Sequence, residues 1–185
     1  MSSSSSEAAL ADYFRVVFLG RPQVGKTSIV YWILDLPFSD EYQPSIGVRF
    51  YNVDTILGDN QYFLQLCDVS SNDIYLNLVS SILKSASIAI LVFDYKNNDS
   101  QMEIEQLYST ARKHLAPEQI LLIGNKFETG KNKIPKNLTN WVKSHNLAIY
   151  PVSVRENIGK SLLMQNIIQI IVDVSKKRIK LLDYT

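Results

Sequence analysis

A disulfide within this sequence is impossible, because only one of its 185 residues, Cys67, is a cysteine. A lone thiol inside the apolar run Tyr62-Phe63-Leu64-Gln65-Leu66-Cys67 fits a reducing compartment and a place in a core. Long apolar stretches are missing as well. No run approaches the ~20 residues needed to span a bilayer, and no secretory signal is visible. A charge excess is also lacking: 19 Lys+Arg stand against 18 Asp+Glu, a net charge of +1 that leaves no electrostatic footprint for nucleic acid. What is present is ordinary for one soluble globular domain with a real core, at 46% hydrophobic and 20% charged residues.

Along the chain, apolar runs of strand length alternate with helical spacing. Residues 1–11, including Ser2 to Ser6, read as a disordered polar tail. The folded domain is expected over 12–181, with 182–185 as a short C-terminal tail. Strands are expected at Tyr13 to Leu19, Val48 to Leu57, Tyr62 to Asp68, Ser87 to Phe93, Gln119 to Gly124 and Ala148 to Val152. The second and third form a hairpin around Gly58-Asp59-Asn60. Helices are expected at Thr27 to Leu36 (ended by Pro37), up to about Lys84, at Ser100 to His114, Pro135 to His145 and Gly159 to Lys180. This alternation predicts an α/β fold: about six strands in a mainly parallel sheet, one antiparallel edge strand, and helices on both faces.

One local motif carries chemistry by itself. Gly20-Arg21-Pro22-Gln23-Val24-Gly25-Lys26-Thr27 matches G-x-x-x-x-G-K-[ST], following a strand and opening a helix. Backbone N–H groups must curl inward onto phosphate oxygens, and the two glycines permit that curl. Lys26 can reach the terminal phosphates, and Thr27 can offer a hydroxyl to Mg²⁺. Pro22 has no N–H to give. At the end of a later strand stands Asn125-Lys126-Phe127-Glu128, where α/β sheets bind ligands. A carboxylate there can accept from N1–H and the 2-amino group of guanine, a donor pair adenine lacks.

These segments together resemble the Ras superfamily of small GTPases, over about Tyr13 to Val174. Asn125 to Glu128 is similar to N-K-x-D. Phe38 to Val48 resembles the first switch, and Ile46-Gly47-Val48-Arg49-Phe50 the I-G-V-D-F run of Rab proteins. Leu91-Val92-Phe93-Asp94 resembles L-V-Y-D, and Ser153-Val154-Arg155 stands where the S-A-K loop falls. The resemblance implies a single P-loop NTPase G domain that binds GTP and GDP with Mg²⁺. It implies that Gln23, Val24, Gly25, Lys26, Thr27 and Ser28 wrap the phosphates, and that Phe38 packs against the base. Thr27, Ser45 and Asp68 would serve Mg²⁺. Asn125, Lys126 and Glu128, with Ser153, Val154 and Arg155, would hold the base.

Departures from the family cluster in one place. Asp68-Val69-Ser70-Ser71-Asn72-Asp73 stands where the family has D-T-A-G-Q-E. Ser71 replaces the hinge glycine. Asn72, the candidate catalytic residue, replaces the glutamine that orients the attacking water, and its amide reaches about 1.5 Å less far. Misplacing that water by ~1 Å can cost ~100-fold in rate. The expectation is a GTP/GDP switch in signalling or vesicle traffic with slow intrinsic hydrolysis. A non-hydrolysing scaffold is the second reading, and a P-loop kinase or ATPase a distant third. Effector and exchange proteins would read the surface from Phe38 to Asp73. The expected location is cytoplasmic, free or peripheral on a membrane. The sequence shows no C-terminal lipidation cysteine and no Gly at position two, and the basic run Lys176 to Lys180 is read first as a helix end matched to its dipole.

Overall fold

A computed structural model describes residues 12–39, 45–57, 60–70, 76–96, 100–128, 134 and 136–182. Six strands form one sheet: β1 (Asp12–Gly20), β2 (Val48–Leu57), β3 (Asn60–Val69), β4 (Ile88–Asp94), β5 (Ile120–Asn125) and β6 (Ile149–Pro151). Their order is β2-β3-β1-β4-β5-β6. Every pairing is parallel except β2 with β3, so β2 is the antiparallel edge strand that the sequence predicts. The β2–β3 register sets Leu57 opposite Asn60. Of the predicted turn, Gly58 and Asp59 lie outside the described residues, as do the tails 1–11 and 183–185.

The helices are α1 (Lys26–Ile33), α2 (Leu76–Leu83), α3 (Ser100–Arg112), α4 (Lys136–Ser144) and α5 (Lys160–Leu182). The sheet separates two cores, because successive side chains on a strand point to opposite faces. Phe14, Val16 and Phe18 of β1 pack with Ile29 and Trp32 of α1 and Leu163, Ile167 and Ile171 of α5. Val17 and Leu19 pack on the other side with Val79 of α2, Ile104 and Tyr108 of α3, and Leu138 and Val142 of α4. Helices on both faces explain why β4 and β5 are buried along nearly their whole lengths.

Cys67 lies wholly inside the second core, and burial pushes its thiol up to about 12. Thiolate is the reactive form. The native protein is therefore expected to leave Cys67 unmodified by a disulfide reagent at pH 8, while the denatured chain titrates one equivalent. Rapid reaction of the native protein would mean that β3 does not sit as described.

Helix α1 stops three residues short of the predicted Leu36, and Pro37 is not what stops it. Asp35 adopts a left-handed conformation at φ +55°, its N–H reaches the Trp32 carbonyl at 3.2 Å, and the Leu36 N–H reaches Tyr31 at 2.8 Å. This is a Schellman stop with Asp in the place usually taken by Gly. At the far end of the chain, α5 runs two residues past Lys180. Within its basic run, Lys177 pairs with Glu118 at 3.0 Å and the Arg178 guanidinium lies 4.7 Å over the Phe14 ring. Two of the run's cations thus bind the protein itself. No helix among the described residues is long and apolar enough to cross a membrane.

Candidate nucleotide site

The central strand β1 has β3 on one side and β4 on the other; the chain leaves β1 toward the β2 edge of the sheet and leaves β3 in the opposite direction, for β4. That makes a crevice at the carboxyl ends, the usual ligand position in such sheets. Into it run Gly20 from β1, Asp68 from β3, Asp94 from β4 and Asn125 from β5. The registers set Phe18 beside Asp68, Gly20 beside Val92 and Asp94 beside Asn125.

The phosphate loop curls through two left-handed residues, Gln23 at φ +67° and Gly25 at φ +92°, backbone geometry that turns amides toward an anion. A methyl on Gly20 would come closer than 3.0 Å to the Val92 carbonyl, so the loop rests directly on β4. Lys26 opens α1 and is buried. Its ammonium donates to the carbonyls of Gly20 at 2.9 Å and Arg21 at 3.0 Å. Burial pushes this lysine down to about 8, against the pull of the nearby Asp68. The loop thus holds a buried cation, a charge suited to a polyanion.

Thr27, Ser45 and Asp68 come from three separate segments and meet. The Thr27 hydroxyl donates to Asp68 Oδ2 at 2.6 Å, lies 2.9 Å from the Ser45 hydroxyl, and the latter reaches Oδ2 at 3.3 Å. Asp68 is fully buried, yet among the described residues its Oδ1 has no hydrogen-bond partner. A buried carboxylate oxygen left unpaired is costly. An all-oxygen set of two hydroxyls and a carboxylate fits a hard divalent cation such as Mg²⁺.

Asn125 bridges the two halves of the crevice. Its amide donates to the Val24 carbonyl at 2.8 Å, and its own Oδ1 is buried with no partner among the described residues. Lys126 follows in a left-handed conformation (φ +59°) and pairs with Asp94 Oδ2 at 2.7 Å. The other oxygen of Asp94 accepts the Lys96 N–H at 2.8 Å, and the Lys96 ammonium pairs with Glu128. Nothing in the sequence foretells this ladder of alternating charges, Lys126–Asp94–Lys96–Glu128. Ser153 is buried, and its hydroxyl accepts the Glu156 N–H at 3.2 Å. Val154 is buried and Arg155 exposed in a turn closed by the Ser153–Ile158 bridge. Phe38, Ile46 and Phe50 are exposed. Asn72, with Ser71 and Asp73, lies outside the described residues, as do Asp40 to Pro44.

The structure therefore gathers Lys26, Thr27, Ser45 and Asp68 at one end of the crevice and Asn125, Lys126 and Glu128 at the other, joined through Val24. Ser28 is half-buried in the first turn of α1. A further pair missed from sequence is Arg21 with Glu103, which ties the phosphate loop to α3. Nothing in the spacing of 82 residues between them signals it.

Comparison with known proteins agrees with this arrangement. The Ras family model matches residues 15–173. The Ras-related protein Rab-7b of Homo sapiens is 25% identical over 150 residues, covering 78% of this chain and 75% of that protein. A match that begins in β1 and ends in α5 takes in every segment of the crevice, and on that ground the chain belongs to the Ras family.

Proposed function

We propose that this protein is a guanine-nucleotide switch whose phosphate and cation half is complete and whose base and hydrolysis halves are altered. The observation that carries the reading is the meeting of half-buried Thr27 and Ser45 with fully buried Asp68 at the phosphate loop, one Asp68 oxygen having no partner among the described residues. Gln23 to Ser28 would wrap the phosphates, and Lys26 would leave the loop carbonyls for phosphate oxygens. Thr27, Ser45 and Asp68 would hold Mg²⁺, which when bound neutralises phosphate charge. Asn125 would keep base and phosphate halves in register, and Lys126 would lie along the base with Phe38 at its edge. Ser153, Val154 and Arg155 would close the far side.

Glu128 would accept the guanine N1–H and 2-amino group, but it shares its charge with Lys96. That supports guanine preference with weakened affinity. Asn72 in the glutamine position and Pro22 beside the terminal phosphate support slow hydrolysis. The same two residues support the second reading, a module held in one nucleotide state without turnover. Exposed Phe38, Ile46 and Phe50 offer an apolar surface for effector and exchange proteins. Traffic or signalling on the cytoplasmic side, free or peripheral on a membrane, is the role this reading assigns.

The test is single-turnover cleavage of radiolabelled GTP with Mg²⁺, beside affinities for GTP, GDP and ATP. Guanine nucleotides are expected to outcompete ATP, with cleavage well below an ordinary Ras-like rate. Equal competition by ATP defeats the guanine reading, and an ordinary rate defeats slow hydrolysis.

A further inference from the structure

The C-terminal end of α1 is fastened to the turn that follows β6 by two polar links. The Trp32 indole N–H donates to Asn157 Oδ1 at 2.7 Å, and the Asp35 carboxylate pairs with Lys160 at the start of α5. Trp32 is otherwise buried in the first core, so its ring is fixed by packing and its one donor is aimed. Asn157 sits left-handed at φ +54° in the tight turn Ser153–Ile158, whose two ends exchange N–H donors with carbonyls at 2.9 and 3.0 Å. Asn tolerates that conformation, and its side chain leaves the turn toward α1.

The other end of α1 is Lys26 and Thr27. One helix of eight residues therefore carries the phosphate loop at its start and the base-side turn at its finish. Asn125 joins the same two halves from within the crevice through Val24. Ser153–Ile158 is thus held to the phosphate half twice, once through β5 and once through α1.

We infer that Trp32 is a positioning residue for base recognition: through Asn157 it sets the turn of Val154 and Arg155 against the purine edge, and so tunes discrimination between guanine and adenine nucleotides. This rests on the guanine-nucleotide reading above. Trp32 does not touch the base. It acts by restricting the turn, in which the N–H groups of Ser153, Glu156, Asn157 and Ile158 bond within the turn and the Val154 N–H would meet a 6-oxo purine and not a 6-amino one. An indole-to-amide hydrogen bond that is fully made contributes about a three- to tenfold effect.

The Trp32→Phe variant removes the donor together with the pyrrole part of a buried indole, whereas Asn157→Ala removes the acceptor and leaves the packing of the first core in place. Each is measured for amide hydrogen exchange across 153–158 in the nucleotide-free protein, and for the ratio of GDP to ADP affinity. Exchange in the turn is expected to quicken about three- to tenfold in both variants, and the GDP-to-ADP ratio to fall by a similar factor. The double variant should be no worse than either single one, as for partners in one bond. Quickened exchange with an unchanged ratio would make the link structural and overturn the inference. So would additive effects in the double variant, or exchange that does not move. If the unaltered protein fails to prefer GDP over ADP, the guanine reading falls with the positioning role, and the exchange data still report whether the link restrains the turn.

Discussion

Replacing Asp68 by Asn is expected to erase most of the Mg²⁺ dependence of nucleotide affinity, a loss of about 100-fold, while the ligand-free protein melts within a few degrees of the original. The two effects separate because the residue holds different partners in the two states. Without ligand, Asp68 offers Oδ2 to the Thr27 and Ser45 hydroxyls and leaves Oδ1 buried and unpaired. An amide oxygen can still accept from Thr27, so little native hydrogen bonding is lost, although the attraction to Lys26 goes. With a cation present the carboxylate charge matters directly. Removing one partner from a buried charged arrangement costs about 3 kcal/mol, which is about 100-fold in affinity. Titration of a fluorescent GDP analogue with and without Mg²⁺, beside a thermal melt, checks both halves. A variant that keeps full Mg²⁺ dependence would remove Asp68 from the cation site. One that unfolds would make it a structural acid.

Gly25→Ala should be the more damaging change, and to the fold as well as to the ligand. Gly25 holds φ +92°, where a side chain is strained, and an added methyl would come closer than 3.0 Å to the Asn125 side-chain nitrogen. Strain and the forced loss of the Asn125–Val24 bond together cost about 2–4 kcal/mol. A domain of this size then loses about 5–15 °C in melting temperature. Nucleotide affinity should drop by more than 100-fold, since the displaced amide is what joins the base and phosphate halves. Gly47 supplies the control. It is also left-handed, at φ +71°, but nothing among the described residues lies within 4 Å of where its methyl would stand. Gly47→Ala should therefore cost only backbone strain, about 1 kcal/mol. Equal damage from the two alanines would show that conformation, and not the approach of Asn125, makes Gly25 necessary.

Much of this was legible in the sequence because it is local. Apolar runs of strand length and turn residues mark all six strands and the one antiparallel edge, and the phosphate loop announces itself by spacing and flanks. Thr27, Ser45 and Asp68 could be brought together on paper only by resemblance, since 41 residues separate the first from the last. What the sequence hid was decided by tertiary contact. Asp35 ends α1 where helical periodicity runs on to Leu36, because the left-handed stop is compatible with an exposed Asp that finds Lys160. The pairs Lys96–Glu128 and Arg21–Glu103 need the fold before either partner is near the other. The bond from Trp32 to Asn157 spans 125 positions, and nothing in either residue type foretells it.

The place of β1 has a consequence for biosynthesis. It is the central strand, yet it has no local partner: Asp12 faces Tyr62, and Val16 faces Ile88. Its core side chains Phe14, Val16 and Phe18 therefore leave the ribosome long before the strands that will flank them. The β2–β3 hairpin closes on itself at once, but it can anchor β1 only after about fifty more residues have been made, and β4 comes later still. At ~5–20 residues per second that interval lasts several seconds. For that time a strand of bare aromatic and branched residues has no sheet to join, and its company is whatever the cell provides.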